Sequence, residues 1–430
     1  MERRLASAAS AARIKVAVTL FRLTLAWDRL VSALKDVVEF RLFALVYFVE
    51  GLVQAFVAGM FLIQLQKVGL EVPEFAVLGS AVSLPWTLKL VFGPLVDWGR
   101  GFKLFGNHYK AWASVGALVT AGSLIALPFG EGWMILGLAG VISVGLALMD
   151  VGVDGLALTS VDAQKRSRVQ SVMNFGLYLG FLIGYAPLLF GLDVSWRLTC
   201  FSLAATALIV TIVALRMRGT ENLTEVSSRG FSWKAMIRVF TSSRKRWGLI
   251  FSFLAVGAAG ATGLLSYNWM TYHLQYSAME YALIVSASLL LAIVGGFVIK
   301  KRARKAPVFA AIIAVLLAAG LYLSIGLMGS LGLWKQDLVM YLVIPLTGIA
   351  DGALFVAIFT LFMSLTDEEN VATEFATYSV GYNFCRGLTP LIGGWIFTFF
   401  GGYEALFIGA GMLQLLALVP LVVLAWRHNQ

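Results

Sequence analysis

Residues 132–161 read GWMILGLAGVISVGLALMDVGVDGLALTSV, thirty residues whose only charges are Asp150 and Asp154. A helix rises about 1.5 Å per residue, so this run is long enough to cross the roughly 30 Å hydrocarbon core of a bilayer. Comparable runs lie on either side of it, at 41–65, 74–97, 110–128, 169–190 and 195–215. After a polar, basic stretch they resume at 247–274, 277–299, 306–329, 336–365, 372–399 and 403–426. Composition agrees. The 430 residues are 60% apolar and only 13% charged, with mean hydropathy +0.85. Soluble domains carry roughly 25% charged residues, so a chain this poor in charge must expose most of its surface to lipid.

The expected fold is therefore an all-α integral membrane protein, with twelve transmembrane helices in two pseudo-symmetric six-helix bundles. The first bundle covers 41–215 and the second 247–426, joined by a linker at 216–246 and followed by a tail at 427–430. Two bundles around a shared centre are the architecture of transporters that rock between two open states.

Charge sets the orientation. Of the 33 Lys and Arg residues, 28 fall in loops on one side, three (Lys67, Arg197 and Lys335) on the other, and Lys89 and Arg386 lie inside spans. The positive-inside rule then places both termini in the cytoplasm of a cell (inner) membrane. The net charge of +10 reads as an anchor to anionic lipid rather than a nucleic-acid footprint. In residues 1–40, Lys15, Arg22, Arg29 and Asp36 recur every seven positions, which makes one polar stripe on a helix. That segment reads as a basic amphipathic helix lying on the membrane and able to dock a protein partner, or else as a loosely ordered basic tail.

Ionisable groups inside a membrane are costly, and those retained are functional candidates. They are Glu50, Lys89, Asp150, Asp154, Asp351 and Arg386. Counting from the basic ends of their helices, Glu50, Lys89, Asp154 and Asp150 lie at about 13, 12, 10 and 16 Å, one shared depth band. Asp150 and Asp154 are four apart on one helix face, where like charges oppose joint ionisation. A carboxyl pair able to hold a proton is what proton coupling needs, with Glu50 beside it and Lys89 as charge partner. The alternative is a charge cluster that only pins helices together. In the second half, Arg386, with Asn383 and Tyr382 nearby, offers a guanidinium fork for an anionic group. It equally balances Asp351. Gln54, Asn174, Asp351, Asn383 and Arg386 form the candidate substrate-binding set.

Other features are read as structural. Gly176, Gly180 and Gly184 make small-residue steps for close helix packing. Pro85, Pro94 and Pro345 mark kinks. Trp86, Tyr178, Trp269 and Tyr272 serve as packing or belt aromatics ahead of cavity walls, and Cys200 and Cys385 sit in apolar runs. His108, His273 and His428 are scattered and form no metal or nucleophile constellation. No cofactor, metal site or enzyme activity is expected.

Several short patches resemble a known family. Gly93-Pro94-Leu95-Val96-Asp97, followed by Arg100, is similar to the loop motif of the major facilitator superfamily. Leu84-Pro85-Trp86-Thr87-Leu88-Lys89, Asp150-Val151-Gly152-Val153-Asp154-Gly155-Leu156-Ala157-Leu158-Thr159 and Ala372-Thr373-Glu374-Phe375-Ala376 resemble the AmpG-type muropeptide permeases, their acetyl-CoA transporter relatives and a siderophore-permease group. The sequence departs from that pattern at Phe105-Gly106-Asn107-His108-Tyr109-Lys110, which holds one lysine in place of an arginine-rich run, and at Gly99-Arg100-Gly101. Both departures imply a weakened latch between the loop motif and neighbouring helix ends. The resemblance implies alternating-access transport of an organic, anionic solute driven by protons. An uncoupled organic-anion exchanger, or a helper that delivers pigments, lipids or protein partners, are the alternatives.

Overall fold

The computed structural model describes residues 31–57, 80, 83–131, 133–189, 195–217, 233–263, 265–367 and 371–428. Residues 1–30 of the expected surface segment, Lys67 and residues 218–232 of the linker lie outside them. Residues 31–41 belong to a unit of their own, helical over 31–39. There the Phe40 amide donates to the Asp36 carbonyl at 2.9 Å, and the Arg41 guanidinium donates to the Val38 carbonyl at 3.2 Å.

From Leu42 onward the chain forms the second unit, which is helical and, among the described residues, has no strand. Its helices are α1 (Arg41–Ala55), α2 (Lys89–Trp98, entered through a 3₁₀ turn at Leu84–Leu88), α3 (His108–Ala126), α4 (Trp133–Ser160), α5 (Arg166–Leu189) and α6 (Trp196–Arg216). The second half has α7 (Ser243–His273, in segments), α8 (Ala278–Lys305), α9 (Pro307–Ser330), α10 (Val339–Leu365), α11 (Val371–Phe400) and α12 (Tyr403–Trp426). Among the described residues nine of these are long and apolar enough to cross a membrane. The others are α1 and α2, which border residues 58–79 outside the description, and α11. At 30 residues α11 has the length, but Glu374, Asn383 and Arg386 make it more polar. Within the linker a short helix, Trp233–Thr241, precedes α7 and exposes Ile237 and Phe240.

Large apolar residues such as Ile209, Val298, Val419 and Val422 expose more than half their surface. In water that would be a liability. Around helices that satisfy their own backbone hydrogen bonds it is a lipid-facing coat. Inside, lipid supplies no hydrophobic drive between helices, and packing depends on close backbone approach. Gly176 and Gly180 of α5 lie against the Ala44 and Phe48 carbonyls of α1, Gly51 of α1 lies against the Leu177 carbonyl, and Gly184 meets Ala55. A Cβ at any of these would collide, so the glycine steps on α5 are a packing seam.

Within the first half α3 packs on α4 and α6; within the second, α8 on α10, α9 on α10 and α12, and α7 on α11 and α12. The halves meet where α5 packs on α8 and α10, and where α2 and α4 pack on α11. Pro85 opens the turn into α2, Pro94 lies within α2, and Pro345 follows a π turn at Val339–Val343. The break in α7 involves no proline. The helix interrupts at residues 253–256, and the Gln414 side chain of α12 repairs it, donating to the Ala255 carbonyl at 2.8 Å and accepting from the Ala258 amide at 3.1 Å. Backbone groups freed at membrane depth need such partners.

Candidate functional site

Three groups of polar residues occupy the core, stacked from the basic end of the bundle upward. At the basic end the halves are tied together. Asp97, fully buried at the end of α2, accepts from the Thr373 amide at 2.8 Å and the Thr373 hydroxyl at 2.6 Å at the start of α11, and from the Tyr109 hydroxyl at 3.4 Å. Arg166 of α5 donates to the Met363 carbonyl at 3.0 Å, and Ser171 donates to the Gly296 carbonyl at 3.1 Å. Beside them Lys245 donates to Glu374 at 2.7 and 2.8 Å and to Asp367 at 2.6 Å. Asp97 thus reaches across to the first turn of α11, a positive helix end, and makes its contact there without the missing arginines. Of the other loop-motif residues, Gly93 is buried in α2, and Leu95 and Arg100 are half-buried.

One layer up sits a charge cluster. Lys89 of α2 is 3% exposed and donates from its ammonium to Asp150 of α4. Its Nζ also lies 5.0 Å from the Trp86 ring centroid. Asp154, one turn along α4, accepts instead from the Tyr47 hydroxyl of α1 at 2.8 Å. Glu50, one turn from Tyr47 on α1, accepts from the Gln54 amide at 2.8 Å, while its Oε2 has no hydrogen bond among the described residues. Helices α1, α2 and α4 therefore do converge, and the two aspartates have separate partners, one cationic and one neutral.

Above the cluster a cavity of about 270 Å³ opens between the halves. Gln54, Trp86, Ser143, Tyr178 and Phe181 line it from the first half, and Gly260, Asp351, Tyr382, Asn383 and Arg386 from the second. Arg386 is exposed there, Asp351 half-buried, and Asn383 buried. Gln54 touches both levels, and so does Trp86. Asn174 does not reach the cavity. It sits one turn nearer the basic end than Tyr178, where α8 closes on α5, fully buried and donating to the Ala292 carbonyl at 3.0 Å. Trp269 is buried in packing against Trp334 and Phe407, and Tyr272 is exposed at the far end of α7.

Residues 43–344, more than half of the chain, match the family model for the Major Facilitator Superfamily. The chain belongs to the major facilitator superfamily. It is accordingly a multi-pass membrane transporter and not an enzyme. Its fold resembles the human organic anion transporter MFSD10 (16% identity, TM-score 0.68) and the Escherichia coli fucose:proton symporter (14%, 0.64). It also resembles a bacterial homologue of the iron transporter ferroportin (15%, 0.65). Each comparison covers 90% of this chain and 99% of the other. At such identities the likeness concerns the fold of the superfamily.

Sequence reasoning missed four residues that this superfamily member uses in its polar core. Tyr47 carried a signal, a phenol one turn from a buried acid. Thr373 and Glu374 lay in a quoted motif but had no assigned partner, and Lys245 was counted among linker charges.

Proposed function

We propose that this superfamily member is a proton-coupled secondary transporter of an organic anion, working by alternating access through the cavity between its halves. The observation that carries the reading is the join between cavity and charge cluster: Gln54 lines the cavity and bonds Glu50, and Trp86 lines it and lies under Lys89. Charge counting supplies the mechanism. Three buried carboxyls, Glu50, Asp150 and Asp154, face one ammonium. Uncompensated charge inside a membrane is expensive, so protons meet the surplus. Arg386 contributes a positive field at Glu50. An anion docked on Arg386 cancels that field, and a proton on Glu50 or Asp154 compensates the arriving negative charge. The loaded core is then closer to neutral, and the halves can exchange the Asp97–Thr373 and Arg166–Met363 contacts for an opening at the basic end.

On this reading the basic end and both termini face the cytoplasm, with residues 1–40 on the anionic leaflet of the inner membrane. The motif wording, similar to that of the muropeptide and siderophore permeases, supports an organic cargo. The experiment is anion-driven proton flux in proteoliposomes loaded with a pH dye. A transported organic acid anion should change lumenal pH, and Asp154→Asn and Glu50→Gln should abolish the change while leaving anion counterflow. Unchanged coupled flux in both Asp150→Asn and Asp154→Asn would end the proton reading.

A further inference from the structure

We infer that the cavity selects a compact organic acid: a carboxylate with a hydrogen-bond donor, hydroxyl or amine, on a flat apolar body. This rests on the transport reading above and narrows its cargo. Three polar residues that line the cavity have complementary needs, with the Asn383 amide nitrogen and the Asp351 Oδ1 themselves covered. The Arg386 guanidinium is exposed there and makes no ion pair or hydrogen bond among the described residues. The Asn383 amide nitrogen, on a residue 6% exposed, has no acceptor among the described residues. The Asp351 Oδ1 has no donor among them. Buried polar groups are normally paired, and leaving one unmet costs about 1–3 kcal/mol.

A guanidinium and an amide N–H together call for an acceptor that carries negative charge. A carboxylate oxygen calls for a donor. An anion without a donor leaves Asp351 unmet and sets like charge beside it, while a cation without an acid leaves Arg386 unmet. Only a solute with both features satisfies all three groups. The walls fix the rest of the molecule. Trp86, Tyr178, Phe181 and Phe355 offer ring faces and edges to a planar apolar body. A volume of about 270 Å³ falls just below the range of roughly 300–1,000 Å³ typical of pockets for drug-sized ligands. An aromatic amino or hydroxy acid fits such a space.

Calorimetric titration of the full-length protein in detergent tests this directly. The probes are 3-phenylpropionate, which has no donor; phenyllactate, phenylalanine and 3-(4-hydroxyphenyl)propionate, which place a donor at different positions; and the methyl ester of phenyllactate. At least one donor-bearing acid should bind about tenfold or more tighter than 3-phenylpropionate, and phenyllactate should lose a similar factor on esterification. Asp351→Leu should erase the advantage of the donor, whereas Asp351→Asn, which keeps an acceptor, should retain part of it. Arg386→Gln should erase the difference between acid and ester. Ratios within one variant do not depend on how much of it is folded. Equal binding of 3-phenylpropionate and the donor-bearing acids, equal binding of the ester, or no binding by the folded wild-type protein would overturn the inference. Tight binding of a donor-bearing acid without proton flux overturns the coupling and leaves the cargo class. Proton-coupled flux of a larger cargo, with this panel silent, overturns the cargo class and leaves the coupling.

Discussion

The pair formed by Lys89 and Asp150 is the best place to test the charge cluster by perturbation. Asp150→Leu strands an ammonium that is 3% exposed inside the bundle. Removing one partner of a buried ion pair costs about 3–5 kcal/mol. Part of that is returned here. Trp86 lies 5.0 Å from the ammonium, a contact worth about 0.5–2 kcal/mol, and Asp154 and Glu50 act on the same charge. We therefore expect a loss of about 2–3 kcal/mol for Asp150→Leu, and about the same for Lys89→Met, which leaves Asp150 without its cation. The double variant replaces both charges with apolar side chains, a change that is often neutral, and should lie within about 1 kcal/mol of wild type. The coupling energy of the cycle, the two single losses summed less that of the double variant, is then about 3–6 kcal/mol, at or above the upper end for residues in contact. Equilibrium unfolding in mixed micelles, followed by tryptophan emission, measures all four proteins. Additive losses, or a double variant less stable than either single, would refute the claim that Asp150 exists to compensate Lys89.

Other expectations follow from contacts elsewhere in the bundle. Gly180→Val pushes a branched side chain into the α1 backbone at Phe48 and should prevent assembly of a monodisperse protein, whereas Gly320→Ala, with open space around it, should leave the gel-filtration profile unchanged. Thr373→Val removes the hydroxyl bond to Asp97 but keeps the amide bond; losing one hydrogen bond to a charged group, about 1.5–3 kcal/mol, should raise thiol labelling of cysteines placed along the closed basic end. Gln414→Leu leaves the Ala255 carbonyl and Ala258 amide unmet at the break in α7, and a loss of about 2–4 kcal/mol in the same unfolding assay would confirm the repair.

The apolar runs, the lopsided Lys and Arg counts, and the short roll of charges inside spans were all legible in the sequence, because each is a sum over neighbouring residues. Crossing lipid demands length and hydropathy, and both accumulate locally. The glycine steps on α5 were legible for the same reason, since a repeat of small residues marks a close-packing face before its partner is known. Partnership itself was not legible. Nothing in the spacing of Asp150 and Asp154 says that one meets an ammonium and the other a phenol. That choice depends on the approach of α1 and α2 to α4, and Lys89 and Tyr47 lie 61 and 107 residues from their acids. Asn174 looked as suited to binding as Asn383, yet the closing of α8 on α5 buried the first, and the gap between α7, α10 and α11 left the second at the cavity wall. The partner of Asp97 was hidden in the same way. Counting arginines is a local act, whereas Asp97 is held by the first turn of a helix 276 residues further on. Hydropathy placed these residues in the membrane; helix packing decided what each of them touches.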